Sequence, residues 1–304
     1  MKMLLAGWDG GGTGTTVVCT EPDGTPLARK RFGPLNLNGA ETEAVARTVR
    51  ECLDWMGGYG ECVSLCVGAA GVSNANAAAL LRRMLAQGGY GGQLVLAGDH
   101  EIALHGAVGG VGAVVIAGTG SICYGRNAQG QTARAGGGGH LIDDGGSGYA
   151  IGRDVLSAVL RALDGRGPAT LLEDAVAAEL EGASRESIVG YVYQEKRQKA
   201  DIARFARLLA PAAEAGDAAA REIAGRAAQE LYALLSAVLT RLKLPGADVA
   251  LMGSVLEKCA PVRARVEALI DAGLPAARVI VPRADAAQGA ALIAKQRWEE
   301  QYHG

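Results

Sequence analysis

No surplus of charge of either sign marks this 304-residue chain: 30 Lys and Arg stand against 32 Asp and Glu, a net charge of −2. The basic footprint of a nucleic-acid binder is missing, and no nucleic-acid partner is expected. Long apolar runs are missing too. None approaches the ~20 residues that a membrane helix needs, so no membrane partner is expected. The apolar segment in the opening MKMLLAGWDGGG is too short for a signal peptide and runs straight into a glycine turn. Cysteines number six (Cys19, Cys52, Cys62, Cys66, Cys123, Cys259), yet no CxxC pair occurs. Structural zinc and iron–sulfur clusters therefore lack their usual ligand spacing. These cysteines lie mostly in apolar runs and read as small buried hydrophobes. A reducing cytoplasmic compartment is the expectation.

What the chain does have is glycine, 45 residues of it, within a composition that is 49% hydrophobic. The stretch Ala6 to Thr16, AGWDGGGTGTT, organises the rest. An apolar run ends in Asp9, then three glycines, then Thr13. Glycines let backbone N–H groups approach an anion closely. A hydroxyl and a carboxylate beside such a turn suit phosphate and hydrated Mg²⁺. A tight hairpin turn alone would look similar. The motif gains weight by repetition: Gly12-Thr13-Gly14-Thr15, seven residues, Asp23-Gly24 returns as Gly118-Thr119-Gly120-Ser121, seven residues, Gln129-Gly130. Each copy follows a short apolar strand-like run, so a strand–turn–strand unit is repeated.

In chain order, 2–9, 14–20 and 25–32 read as strands, followed by the GPLNLNG loop at 33–39. Asn36 and Asn38 offer amide groups there, or merely Asx turns on a surface loop. Residues 41–56 read as a helix, 63–67 as a buried strand, 75–87 as a helix and 94–97 as a strand. Asp99 stands at the carboxyl end of that strand, where α/β sheets place ligands. It is a catalytic candidate, and also a natural helix N-cap. The second copy begins near Gly112, with strands at 112–117, 121–126 and 131–135. The run from 135 to 149, AGGGGHLIDDGGSGY, fits a loop that wraps a small polar ligand with backbone groups. A flexible linker is the plain alternative, against which His140, Asp143 and Asp144 argue. Helices are expected at 147–164, 169–181, 184–194, 199–216 and 218–243. A strand at 247–252, the Gly253-Ser254 turn, a helix at 262–272, a strand at 277–281 and a helix at 285–300 complete the chain. Tyr191, Tyr193, Lys196 and Arg197 are weak nucleotide candidates, better read as packing or surface.

This order predicts an α/β fold of two mixed sheets with helices on them, facing across a cleft. Two glycine hairpins and acids that can hold Mg²⁺ are what phosphoryl transfer needs: positioning and charge neutralisation.

The sequence resembles the actin/Hsp70/sugar-kinase superfamily, and within it the N-acetylglucosamine kinases and the BadF/BadG/BcrA/BcrD ATPase family. The resemblance rests on WDGGGTGTT at 8–16, the loop around Asn36, GDHEIAL at 98–104, IAGTGSIC at 116–123, GGGGHLIDDGGSGYAIG at 136–152 and LMGSV at 251–255. It implies two actin-like, ribonuclease H-like domains around a nucleotide cleft. The first would be 1–109, completed by 285–304; the second would be 110–284 with a helical insertion at about 147–243. It implies that Gly11, Gly12 and Thr13, with Gly118, Thr119 and Gly120, bind ATP phosphates, and that Gly253 lies against the adenosine. Asp9 would orient hydrated Mg²⁺. Asp99 would be the base facing the 6-hydroxyl of an amino sugar, and Asn36, Gly137, Gly138, Gly139 and Asp144 would contact the sugar. N-acetylglucosamine is the expected acceptor, with glucosamine the alternative. A homodimer is the expected assembly. The reading of another class is an ATPase activator or regulator without a sugar acceptor; the activator form calls for a cysteine cluster that the sequence lacks.

Three departures stand out. Relatives commonly read Gly-Asp-Glu-Gly-Ser where this chain has Asp143-Asp144-Gly145-Gly146-Ser147. A tryptophan usual among the glycines is Gly138. Trp8 replaces a smaller apolar residue.

Overall fold

The computed structural model describes residues 2–35, 42–69, 71–72, 74–180 and 182–303. Asn36, an expected sugar contact, lies outside the described residues. The chain divides into two compact units, Met1–Val111 with Pro282–Gly304, and Gly112–Val281.

The first unit begins β1 (Met3–Gly10), β2 (Thr15–Thr20), β3 (Pro26–Phe32), α1 (Thr42–Gly57), β4 (Glu61–Ala69), α2 (Ala75–Gln87), β5 (Gln93–Ala97) and α3 (Asp99–Val108). Its sheet runs in the order β3-β2-β1-β4-β5. β1 is antiparallel to β2 and parallel to β4. A central strand with both faces covered is nearly continuous in apolar residues, and β1, MLLAGWDG, reads that way. β3 is the edge, and its Arg29, Lys30 and Arg31 are the charges that keep such an edge from pairing with another chain. One face of the sheet (Leu4, Ala6, Trp8) packs with Val49, Cys52 and Met56 of α1 and Leu81 and Leu85 of α2. Trp8 is fully buried there, and its indole N–H donates to Met56 Sδ at 3.2 Å. The tryptophan is thus a core filler with its one polar atom satisfied.

The second unit holds β6 (Gly112–Ala117), β7 (Ser121–Arg126), β8 (Thr132–Gly136), α4 (Gly148–Leu163), α5 (Leu172–Leu180), α6 (Arg185–Val192), α7 (Lys199–Ala203), a 3-10 turn (Arg204–Leu208), α8 (Leu209–Glu214), α9 (Ala218–Leu242), β9 (Asp248–Met252), α10 (Ser254–Lys258), α11 (Ala260–Gly273) and β10 (Arg278–Ile280). Its sheet order is β10-β9-β6-β7-β8. That is the order of the first sheet with each strand replaced by its counterpart, so the sequence repeat is a repeat of topology. The single helix expected over 199–216 is broken into α7, the 3-10 turn and α8. Pro211 has no N–H to give to a carbonyl one turn back, and its ring crowds that carbonyl.

The last helix, α12 (Ala286–His303), returns to the first unit. It lays Ala290, Ile293 and Ala294 on Cys66, Ala97 and Ile102, and Ala287 and Ala291 on Val18. Alanine and glycine are needed there because the approach is close. A Cβ on Gly7 of β1 would fall 2.2 Å from the Ala291 nitrogen, and one on Gly289 would fall 1.9 Å from the Ile102 carbonyl oxygen. The architecture is α/β, two five-stranded mixed sheets with helices on them, as the sequence reading has it. Among the described residues no helix is long and apolar enough to cross a membrane.

Candidate active site

In the first unit the β1–β2 turn is closed by the Gly11 N–H donating to the Gly14 carbonyl at 3.0 Å. Gly12 and Thr13 are its exposed tip. A side chain on Gly12 would meet open space, whereas one on Gly14 would meet Arg31 Nε at 2.7 Å. Arg31 Nη2 also lies 3.5 Å from the Thr13 hydroxyl. A cation beside an exposed glycine turn strengthens it as an anion site. In the sequence Arg31 is legible only as part of the strand at 25–32. The chain leading to Asn36 is tied to the same turn, since the Leu35 N–H donates to the Gly11 carbonyl at 3.1 Å.

Asp9 is the last residue but one of β1, half-buried beside this turn. Burial raises its carboxyl to about 6, and the negative charges of Asp285 and Asp99 add to the effect while Arg29 opposes it. The sheet thus brings Asp9 and Asp99 into electrostatic reach. Asp285 is the acid the sequence reading missed. Its visible signal was an N-cap pattern: Oδ1 accepts the Gln288 N–H at 3.0 Å at the start of α12. It also pairs with Arg29.

Asp99 opens α3 at the carboxyl end of β5. Its side chain is 57% exposed. Hydrogen bonding from the His100 side chain holds its carboxyl below the usual range, against a smaller opposing effect of burial. Among the described residues no three His, Cys, Asp or Glu side chains stand together as a metal-binding group. A half-buried carboxylate made uncomfortable by two neighbouring acids does fit a hydrated Mg²⁺, which takes one or two carboxylates and completes its shell with water and phosphate.

In the second unit the corresponding β6–β7 turn is closed by the Gly118 N–H donating to the Gly120 carbonyl at 2.9 Å. Its carbonyls receive the first N–H groups of α4, Gly148 to Gly118 at 2.7 Å and Tyr149 to Thr119 at 3.2 Å. Ser147 caps the same helix, its hydroxyl accepting the Ala150 N–H at 3.1 Å. The glycine loop after β8 is bound to this turn. Gly137 donates to the Ser121 carbonyl at 2.9 Å, and the Ser121 hydroxyl donates to the Gly145 carbonyl at 2.7 Å. Asp144 is buried, and its Oδ1 accepts the Ser121 N–H at 2.8 Å. At least one oxygen of this expected sugar contact therefore serves the hairpin.

Gly137 and Gly139 have positive φ, 71° and 93°, which favours glycine at both. Gly138 has another constraint. A Cβ there would lie 2.8 Å from Asp143 Cβ. Two of the departures from relatives, glycine at 138 and an acid at 143, are thus sterically linked.

A pocket of about 360 Å³ in this unit is lined by Gly118, Thr119, Gly148, Ile151, Ala200, Ala203, Arg204, Ala206, Arg207, Ala210, Ser254, Val255, Lys258 and Cys259. It joins the hairpin to α7, the 3-10 turn and α10. Gly253 itself has φ 91° and backs onto the Ala117 carbonyl, leaving its neighbour Ser254 to line the pocket. The alanine wall escaped the sequence reading, because alanines on a helix read only as packing. Arg204 and Arg207 both pair with Glu179. Tyr191 carries Arg197 over its ring at 3.5 Å, so those two residues serve packing, and Tyr193 is exposed.

A family model described as the BadF/BadG/BcrA/BcrD ATPase family matches residues 6–294. The chain is 34% identical over 303 residues to the N-acetylmuramic acid/N-acetylglucosamine kinase of Clostridium acetobutylicum, spanning 97% of this chain and 99% of that one. It is 30% identical over 312 residues to the N-acetyl-D-glucosamine kinase of Dictyostelium discoideum, spanning 96% and 98%. A candidate N-acetylglucosamine kinase from Chromobacterium violaceum, known from its crystal structure, shares the fold with a TM-score of 0.75 and 28% identity, over 96% of this chain and 99% of that one. On the match to the family model and on these full-length relatives, the chain belongs to the BadF/BadG/BcrA/BcrD ATPase family.

Proposed function

We propose that this protein is an ATP-dependent sugar kinase that phosphorylates the 6-hydroxyl of an amino sugar, with N-acetylglucosamine as the first acceptor to test. The observation that carries the reading is Asp99, an exposed carboxylate at a strand's carboxyl end in electrostatic reach of Asp9, in a chain whose full-length relatives are named as kinases of such sugars.

Gly11, Gly12 and Thr13, and likewise Gly118, Thr119 and Gly120, bind nucleotide phosphates through backbone N–H groups and hydroxyls. The alanine-walled pocket takes the adenosine, with Gly253 shaping its edge. Asp9 holds hydrated Mg²⁺, which supplies charge neutralisation on the phosphates when bound. Asp99 accepts a hydrogen bond from the acceptor hydroxyl and takes its proton as the new O–P bond forms. A loose transition state needs little prior deprotonation, so orientation is the larger part of this role. Asn36, Gly137, Gly138, Gly139 and Asp144 form the acceptor side. Free N-acetylmuramic acid is a second candidate acceptor, because the name of the Clostridium relative includes it. The activator reading calls for a cysteine cluster, and all the cysteines but Cys62 are buried.

ADP release from Mg-ATP with N-acetylglucosamine, glucosamine, N-acetylmuramic acid and glucose tests this reading. Strong stimulation by one amino sugar, abolished in Asp99→Asn with nucleotide binding retained, is the expected result. Release indifferent to every sugar refutes it.

A further inference from the structure

The carboxylate of Asp99 does not stand alone. The backbone N–H of His100 donates to its Oδ1 at 2.9 Å, and the imidazole Nδ1 of the same residue lies 3.1 Å from that oxygen. The contact assigns the proton to Nδ1. The ring reaches back because residue 98 is glycine: a Cβ there would sit 2.5 Å from His100 Cε1. Glu101 holds the same turn from the other side, its Oε2 accepting the Gly98 N–H at 3.2 Å. The Asp99 side chain is otherwise largely exposed, and an exposed carboxylate samples several rotamers unless something fixes it.

We propose that His100 is the positioning residue of the acceptor site: its N–H and its ring clamp Oδ1 of Asp99, so that the acceptor hydroxyl is offered Oδ2. The inference rests on the kinase reading, in which Asp99 faces that hydroxyl. His100 touches neither nucleotide nor acceptor in this arrangement. Its effect is on how often the carboxylate points correctly, which enters kcat. Misplacement of a reacting group by about 1 Å costs on the order of 10²-fold in rate, and loss of one of two clamps is a milder fault.

Three proteins test this: wild type, His100→Ala and His100→Asn. The asparagine amide N–H takes the place of Nδ1–H, so the side-chain clamp is rebuilt without a ring. With the sugar that stimulates wild type best, His100→Ala should lose about tenfold in kcat. Its KM for ATP and its nucleotide affinity by calorimetry should stay within twofold of wild type. His100→Asn should recover most of the loss. Wild-type kcat in His100→Ala overturns the proposal, and so does an equal loss in both variants, which would mark the ring as packing only. A wild-type protein that no sugar stimulates is a different failure, seen before any variant is made. It removes the kinase reading and this inference with it.

Discussion

Asp144 and Ser121 are joined through a 2.8 Å hydrogen bond from the serine backbone to the aspartate Oδ1, which ties the glycine loop to the second phosphate-type hairpin. Asp144→Ala leaves the buried Ser121 N–H without this partner, a cost of about 1–3 kcal/mol. Asp144→Asn keeps an acceptor oxygen and should cost less. Thermal melts are expected to rank wild type above Asn above Ala. Nucleotide affinity should fall in the same order, since the hairpin proposed to hold phosphate loosens. Equal melting of all three would deny the bond its structural role.

Asp9 makes stability depend on pH in a defined direction. Its folded pKa, about 6, lies above the ordinary 3.8 because of burial and then Asp285 and Asp99. The folded state therefore keeps a proton that the unfolded chain gives up. The associated stabilisation is full below the ordinary value and lost as pH rises through about 6. Asp9→Asn should melt higher than wild type at pH 8, by an amount on the order of 2 kcal/mol, and the gap should close towards pH 4. Added Mg²⁺ should raise the wild-type midpoint at pH 8 and leave Asp9→Asn unmoved. A variant that melts lower at pH 8 would contradict this.

Gly289 on α12 lets that helix touch α3, whose first residue is Asp99. Alanine at 289 would place its Cβ 1.9 Å from the Ile102 oxygen and 2.5 Å from the Gly106 nitrogen, both backbone atoms that cannot swing aside. Overpacking of this kind costs about 1–3 kcal/mol. A lower melting midpoint and a lower kcat are both expected, measured on the same preparation. Unaltered kcat alongside lower stability would show that α3 keeps its place.

Ala206 lines the pocket assigned to adenosine. Leucine at this position would fill part of the 360 Å³. ATP affinity by calorimetry should drop at least tenfold, while the acceptor KM stays near wild type. Undiminished ATP affinity would move the nucleoside out of this pocket.

Asp143 is exposed beside Gly138 in the loop proposed to face the acceptor. A carboxylate there disfavours an acceptor that carries its own carboxylate, as N-acetylmuramic acid does. Exposed charge pairs are worth up to about 1 kcal/mol. Asp143→Asn should therefore raise the kcat/KM ratio of N-acetylmuramic acid to N-acetylglucosamine by severalfold, and added salt should shrink the difference. A ratio unchanged at low salt would remove Asp143 from the acceptor's surroundings.

The two hairpins are legible in the sequence because their signals are local: an apolar run, a glycine turn, and a second run of matching length. The parallel strands are legible as short apolar runs between helical periods. The rest depends on distance through space. Arg31 becomes interesting only because β3 pairs with β2 and brings it to Thr13. Asp285 lies 276 positions after Asp9 in the numbering and is an ordinary helix cap until the last helix returns to the first sheet. Trp8 has no local explanation, because its partner Met56 sits on another element. The break of the helix expected over 199–216 falls at Arg204–Leu208, one turn before Pro211.

The return of α12 has a consequence for synthesis. β1 precedes the whole second unit in the chain, and the alanines that close against its Gly7 follow that unit. A ribosome must deliver the whole second unit before the first can close. Until then the nascent sheet holds an uncovered apolar face, which is where a chaperone would be expected to bind and where early termination would do its damage. A chain cut after β10 would keep every glycine of both hairpins, Asp9 and Asp99, and still lack the helix on which their sheet is seated.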